Sequence, residues 1–259
     1  MSSRIERERE FHNDRFTDSP VRSKQLRGMT SAITLRALNA TYNRIERYSK
    51  DSVVLDYGCA QGETSFILHR HGAKSISGID ISDVAIERAK IQAENKGVNN
   101  VDFQVMNAEV LDFEDNSFDL VCGFGIIHHL DITKSISEIA RVLKPSGRAV
   151  FLEPLGHNLA INAFRNLTPS LRTPDEHPLL MSDLQTMAGY FTEFDAEFLN
   201  LATLATMPLR RFSFADGLER ACAKLDKSIF TTIPPLRRYA WNVVLDYGVP
   251  KADQEPLAA

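Results

Sequence analysis

The spacing of apolar and polar positions changes character near residue 50. Before it the chain is polar and helix-compatible. "TSAITLRALNATYNRIERY" puts Ile33, Ala37, Ala40, Tyr42 and Ile45 at helical spacing. After it, short apolar runs alternate with amphipathic ones. "DSVVLDYG" predicts a strand over 52–57, and "ETSFILHRHG" a helix stopped by Gly72. "AKSISGIDI" predicts a second strand, and "SDVAIERAKIQAENKG" a helix with Ser82 as its N-cap and Gly97 as its stop. "NVDFQVMNA" and "NSFDLVCGFGII" read as the third and fourth strands. "DITKSISEIARVLKPSG" is a helix with Ile136, Ile139, Ala140 and Leu143 on one face, ending before Pro145, and "GRAVFLEP" is the fifth strand. Strand–helix alternation over short connections predicts an α/β fold, a parallel sheet covered on both faces.

From 154 the rhythm breaks. "PLGHNLAINAFRNLTPSLRTPDEHPLL" holds four prolines among polar residues and predicts an irregular insertion with a short helix. "MSDLQTMAGYF" resumes as a helix, "EFDAEFLNL" as a strand, "SFADGLERACAKLDKS" as a helix and "RRYAWNVVLDYG" as a last strand. The implied organisation is a helical lid segment over 1–50 and one domain over 51–259, with insertions at about 154–180 and 201–238 that set specificity.

Composition narrows the function classes. In 259 residues the net charge is −4, and no dense Lys/Arg run marks a phosphate-tracking surface, so nucleic acid is not an expected partner. Three cysteines, Cys59, Cys122 and Cys222, are too few and too scattered for a disulfide framework or a CxxC metal site. No apolar run approaches the roughly 20 residues of a membrane span, and "MSSRIEREREFHNDRF" has no apolar signal core, so a cytoplasmic protein is expected.

The chemistry concentrates where the first strand ends. In "VVLDYGCAQGETS" Asp56 closes the strand, and Gly58 and Gly62 leave bare backbone before a helix whose first N–H groups are unpaired. Asp80 ends the second strand 24 positions later, where a carboxylate can accept both hydroxyls of a ribose. The dinucleotide fingerprint does not fit. Position 60 is Ala, and Glu63 at the helix start would repel a pyrophosphate, whereas Asp56 suits a cation.

Taken together, "VVLDYGCAQGETS", "GIDIS", "VMNAEVLDFEDNSFDLVCGFGIIHHL" and "RVLKPSGRAVFLEP" resemble, in order, the motifs of class I S-adenosylmethionine-dependent methyltransferases. The family's usual glycine is Ala60 here. The resemblance implies a Rossmann-like, doubly wound, seven-stranded sheet, mostly parallel with an antiparallel last strand. It implies S-adenosylmethionine as cofactor, S-adenosylhomocysteine as product and a small-molecule acceptor. It places Asp56 at the methionine amino group, with Gly58, Cys59, Ala60 and Gly62 as the loop around the methionine part. Asp80 falls at the ribose, Ile81, Asn107, Ala108 and Glu109 at the adenine, and Phe124 beside the methyl group.

His128 and His129 follow the fourth strand, where this family meets its acceptor, and are the candidate general bases for a hydroxyl acceptor. Acceptor contacts are expected from His12, Tyr42, Glu153, His157, Arg165, Arg172 and His177; the arginines suit a carboxylate or phosphate. The His/Glu/Asp spacing matches no zinc pattern, so no metal is expected. A nucleic-acid or protein methyltransferase, a non-catalytic cofactor-binding module and a nicotinamide-dependent oxidoreductase are the rival readings. The oligomeric state stays open, with a homodimer as the candidate assembly.

Overall fold

The computed structural model describes residues 3–17, 32–171, 173–209 and 211–251. Its centre is β1 (Val53–Tyr57), a five-residue strand, apolar but for Asp56, ended by the loop that carries Gly58 and Gly62. Around it a seven-stranded sheet forms from β2 (Ser75–Asp80), β3 (Val101–Val105), β4 (Phe118–Phe124), β5 (Leu143–Pro154), β6 (Phe191–Leu199) and β7 (Asn242–Pro250), in the order β3-β2-β1-β4-β5-β7-β6. The pairs from β3 through β5 are parallel, and β7 runs antiparallel to both β5 and β6.

Period-two alternation sorts the sheet's side chains into two cores. Leu55, Tyr57, Val121, Ala149, Phe151, Val243 and Leu245 belong to one, and Val54, Leu120, Cys122, Val150 and Val244 to the other. The first core also takes Ile136 and Ile139 from α5 (Ile132–Val142) and Leu184 and Met187 from α7 (Met181–Ala188). The second takes Ala37 and Ile45 from α2 (Ala32–Ser49). Removal from water is worth about 1.5–3 kcal/mol for each large apolar side chain, which makes the two-sided sheet the main source of stability.

The remaining helices are α1 (Arg4–Phe16), α3 (Glu63–Arg70), α4 (Asp83–Lys96), α6 (Leu159–Leu167) and α8 (Ala215–Thr232). α4 carries the expected caps, with the Ser82 hydroxyl accepting from Ala85 N–H and Gly97 in the left-handed region at φ 65°. Among the described residues of the 1–50 segment, α1 lies against the cavity described below, while α2 is built into the sheet's core.

Several boundaries differ from expectation, each for a local reason. β5 begins at Leu143 because Leu143 pairs with Phe118 ahead of a register shift. β6 stops at Leu199 because Asn200 turns left-handed at φ 69°. β7 begins at Asn242 rather than near 237, because Pro234 and Pro235 open a 3-10 turn that carries Arg237 and Arg238. All three cysteines are free thiols. No helix among the described residues is long and apolar enough to cross a membrane.

Candidate functional site

The strand order reverses between β1 and β4, so their carboxyl ends diverge and leave a crevice. The β1 loop is tied to β2 by Gly58 N–H and Cys59 N–H, which both donate to Ile79 O at 2.9 and 2.8 Å. Gly58, Ala60 and Gly62 all have positive φ, at 76°, 49° and 85°. At Gly62 a Cβ would lie 2.7 Å from the Phe103 ring, so both conformation and space require glycine there. Ala60 takes the same left-handed conformation with a Cβ, and its N–H donates to Asp80 Oδ2 at 2.9 Å. Ser82 N–H donates to Asp80 Oδ1 at 2.9 Å, which fixes the carboxylate at the end of β2.

Asp56 sits deeper than expected. It is 1% exposed, accepts the Ser65 hydroxyl at 2.6 Å and is not part of the cavity wall. Burial pushes its carboxyl from 3.8 up to about 7 against the Ser65 hydrogen bonds, with Asp80 and Glu63 adding repulsion. Asp56 therefore lies beneath the loop, so of the two expected modes of contact, directly or through water, its position suits one that is not direct. Cys59 and Gly62 are also buried, and they shape the loop without lining the space above it.

That space is a cavity of about 310 Å³. Gly58, Ala60, Asp80 and Ile81 form one wall; Asn107, Ala108, Glu109 and Phe124 continue it. The opposite wall is α1, which contributes Arg4, Glu8, His12, Arg15 and Phe16. A capping box between Ser3 and Glu6 starts this helix. Arg4 pairs with Glu109 and donates to His129 O at 2.7 Å. Arg7 grips Asp175 through two nitrogens at 2.7 and 2.8 Å. Asn13 bonds Asp83 and Ser82 at 2.7 and 2.6 Å. α1 is thus held at both ends over the carboxyl edge of the sheet. Of these residues only His12 was named as a site residue. Glu8 was missed because a helix rich in charge on every side gives no sign of which charge is buried.

The two histidines differ in environment. His128 is 8% exposed, and its Nδ1 lies 2.8 Å from Glu153 Oε2. Opposite a carboxylate, the tautomer that fits this contact has the proton on Nδ1 and leaves Nε2 to accept. Glu153 is fully buried and its other oxygen accepts Ile126 N–H and Ile127 N–H at 2.9 and 2.8 Å, so it orients His128 and is not available to an acceptor as first expected. His129 lines the cavity, with Nδ1 3.2 Å from Glu8 Oε2 and Nε2 3.9 Å from Glu176 Oε2.

The other expected acceptor contacts do not converge on this cavity. Tyr42 is half-buried, with its hydroxyl 3.3 Å from Thr64 and its ring against Phe124. Arg165 pairs with Glu176 at 2.8 Å. His157 is half-buried with Nε2 turned inward, and the exposed His177 meets this region through its N–H to His128 O. Arg172 lies outside the described residues.

The lining is suited to a nucleoside bearing positive charge. Asp80 offers a fixed carboxylate to a diol, and Ile79, Ile81, Met106 and Leu130 offer apolar surface to a flat ring. Glu8, Glu63, Asp80 and Glu109 set four carboxylates against the guanidiniums of Arg4 and Arg15. A pyrophosphate would meet net repulsion there and a sulfonium or ammonium net attraction. These residues therefore fit S-adenosylmethionine better than a dinucleotide.

A family model described as "Methyltransferase domain" matches residues 48–188. The uncharacterised methyltransferase YcgJ of Bacillus subtilis (strain 168) is 36% identical over 123 residues, which are 47% of this chain and 48% of that protein. Demethylmenaquinone methyltransferase of Lactococcus lactis subsp. lactis (strain IL1403) is 35% identical over 127 residues, 46% of this chain and 50% of that one. The chain thus spans about half the length of these curated relatives. The crystal structure of Bacillus subtilis YcgJ superposes with a TM-score of 0.58 at 23% identity, over 84% of this chain and 99% of that one.

Proposed function

Since the chain belongs to the methyltransferase-domain family, we propose that it moves a methyl group from S-adenosylmethionine to a hydroxyl oxygen of a small-molecule acceptor. The observation that carries this reading is the pre-oriented Asp80 carboxylate opposite a glycine-bearing loop, in a cavity with more acids than bases. The roof formed by α1 supports a small acceptor, because a polymer needs an open groove. This makes α1 a lid and Arg7–Asp175 one of its latches.

The cofactor supplies an activated methyl group, whose in-line displacement needs alignment and exclusion of water above all. Gly58 leaves room for close approach to the backbone: a Cβ there would lie 2.9 Å from Ile126 Cγ1. Asp80 would hold the ribose. His128 stands behind the cavity wall rather than in it, and in this reading its Nε2 would take the hydroxyl proton while Glu153 holds Nδ1 and stabilises the resulting imidazolium. This dyad favours catalysis over a binding-only module, since a sensor has no use for an oriented base.

Titration calorimetry with S-adenosylmethionine and S-adenosylhomocysteine tests the reading. Micromolar binding to the wild type, weakened at least tenfold in Asp80→Ala, is expected. Equal binding to both proteins would remove the ribose assignment and with it the proposal.

A further inference from the structure

A second group of side chains meets at the cavity wall opposite Asp80. Glu8 and His12 stand one turn apart on the same face of α1, and His129 comes from the turn after β4. One donor atom from each of the three lies within 4.8 Å of the others. Glu8 Oε2 is 3.2 Å from His129 Nδ1 and 3.6 Å from His12 Nε2. Four ligands at tetrahedral corners about 2.1 Å from a metal are separated by about 3.4 Å, so both measured edges match.

A second observation points to a ligand. Glu8 and His129 are 4% and 6% exposed, yet Glu8 Oε2 and His129 Nδ1 have no hydrogen-bond partner. They approach closely without the alignment of a hydrogen bond. With the His129 proton on Nε2, two buried lone pairs face each other there, which is costly unless a cation satisfies both. The surroundings have the order that metal ligands require. Thr173 donates its hydroxyl to the other Glu8 oxygen at 2.5 Å, and Glu176, anchored by Arg165, lies beside the remaining His129 nitrogen.

We infer that Glu8, His12 and His129 form a binding site for one divalent transition-metal ion of the zinc, cobalt or iron(II) class, with its open coordination position facing the cavity. Two imidazoles and one carboxylate suit these ions better than magnesium or calcium, which take all-oxygen shells. The spacing rule that argued against a metal is blind to a site drawn from α1 and a turn more than a hundred residues later. Metal binding itself does not depend on the methyltransferase reading. Its role does: resting on that reading, the ion polarises an acceptor oxygen and makes its proton easier to remove. His129 is then a ligand, and His128 alone remains to take the proton.

The test is cobalt(II) titration of the metal-stripped full chain, followed by visible absorption and repeated with zinc as competitor. One equivalent bound at micromolar affinity or better is expected, with tetrahedral-type absorption. His12→Gln and Glu8→Gln should each weaken binding at least a hundredfold. His12 is partly exposed on a surface helix, so its variant keeps the fold, as circular dichroism would verify. No uptake by the wild type, or an affinity in folded His12→Gln within threefold of wild type, would overturn the inference. S-adenosylmethionine calorimetry on the same samples separates the two ideas. Cofactor binding without cobalt binding defeats the metal site alone, and cobalt binding without cofactor binding defeats the methyltransferase reading alone.

Discussion

Removing the buried charge of Asp56 should uncouple cofactor binding from pH. With its midpoint near 7, this carboxyl holds its proton in about nine molecules of ten at pH 6 and about one in ten at pH 8. A cation seated on the loop above it favours the ionised form, so binding expels that proton. Calorimetry in two buffers of different ionisation enthalpy should count about 0.9 proton released at pH 6 and about 0.1 at pH 8. Below pH 7 the affinity should fall by close to tenfold per pH unit. The same shift predicts a stability trend. The folded state holds the proton more tightly than the unfolded chain, so the contribution of Asp56 is most favourable below about pH 4 and declines as pH rises through 7. The full decline, from 3.8 to about 7, corresponds to about 4 kcal/mol. Of this, roughly 1 to 1.5 kcal/mol falls between pH 6 and 8. Asp56→Asn, similar in shape and without the titration, should release no proton from this site and should gain stability over the wild type towards pH 8. Equal proton release at pH 6 from wild type and variant would refute the argument, because it would mean that Asp56 is already ionised or that no cation comes near it.

Three further outcomes follow from the geometry. His128→Gln should lower kcat by about a hundredfold or more while the cofactor dissociation constant stays within threefold, as single-turnover kinetics and calorimetry would show. Ala60→Gly should raise stability by up to about 1 kcal/mol, read as a higher Tm, because it relieves a left-handed alanine at φ 49°. Gly62→Ala should lower stability by at least about 2 kcal/mol in urea denaturation, since its methyl would collide with Phe103 while φ is held at 85°.

What could be read from the sequence was what lies close together in it. β1, its glycines and Asp80 fall within 28 residues, and the crevice they form is fixed by strand order and turn chemistry, both of which leave local signals. Glu153 was legible as an important acid but not as a buried one, because the apolar strand around it could as well have exposed its end. The roles of Arg4, Glu8 and Asp175 depend on α1 crossing the sheet edge, and no periodicity encodes where a separate helix docks. Strand ends moved where Asn200 and the Pro234–Pro235 pair overrode an apolar pattern that continues past them.

The docking of α1 has a consequence for the order in which the molecule assembles. Besides Ser82 and Asp83, its partners Glu109, His129, Thr173 and Asp175 lie 105 to 168 positions further along the chain. As the polypeptide leaves the ribosome, α1 meets Ser82 and Asp83 first, but must wait for most of the sheet before its other partners exist. Such long-range contacts form late, because they close large loops in the chain. The core can therefore mature around an open crevice, and competence for ligand is the last property the protein acquires. The same helix is then the first element to part under mild stress, so loss of binding should precede loss of the sheet.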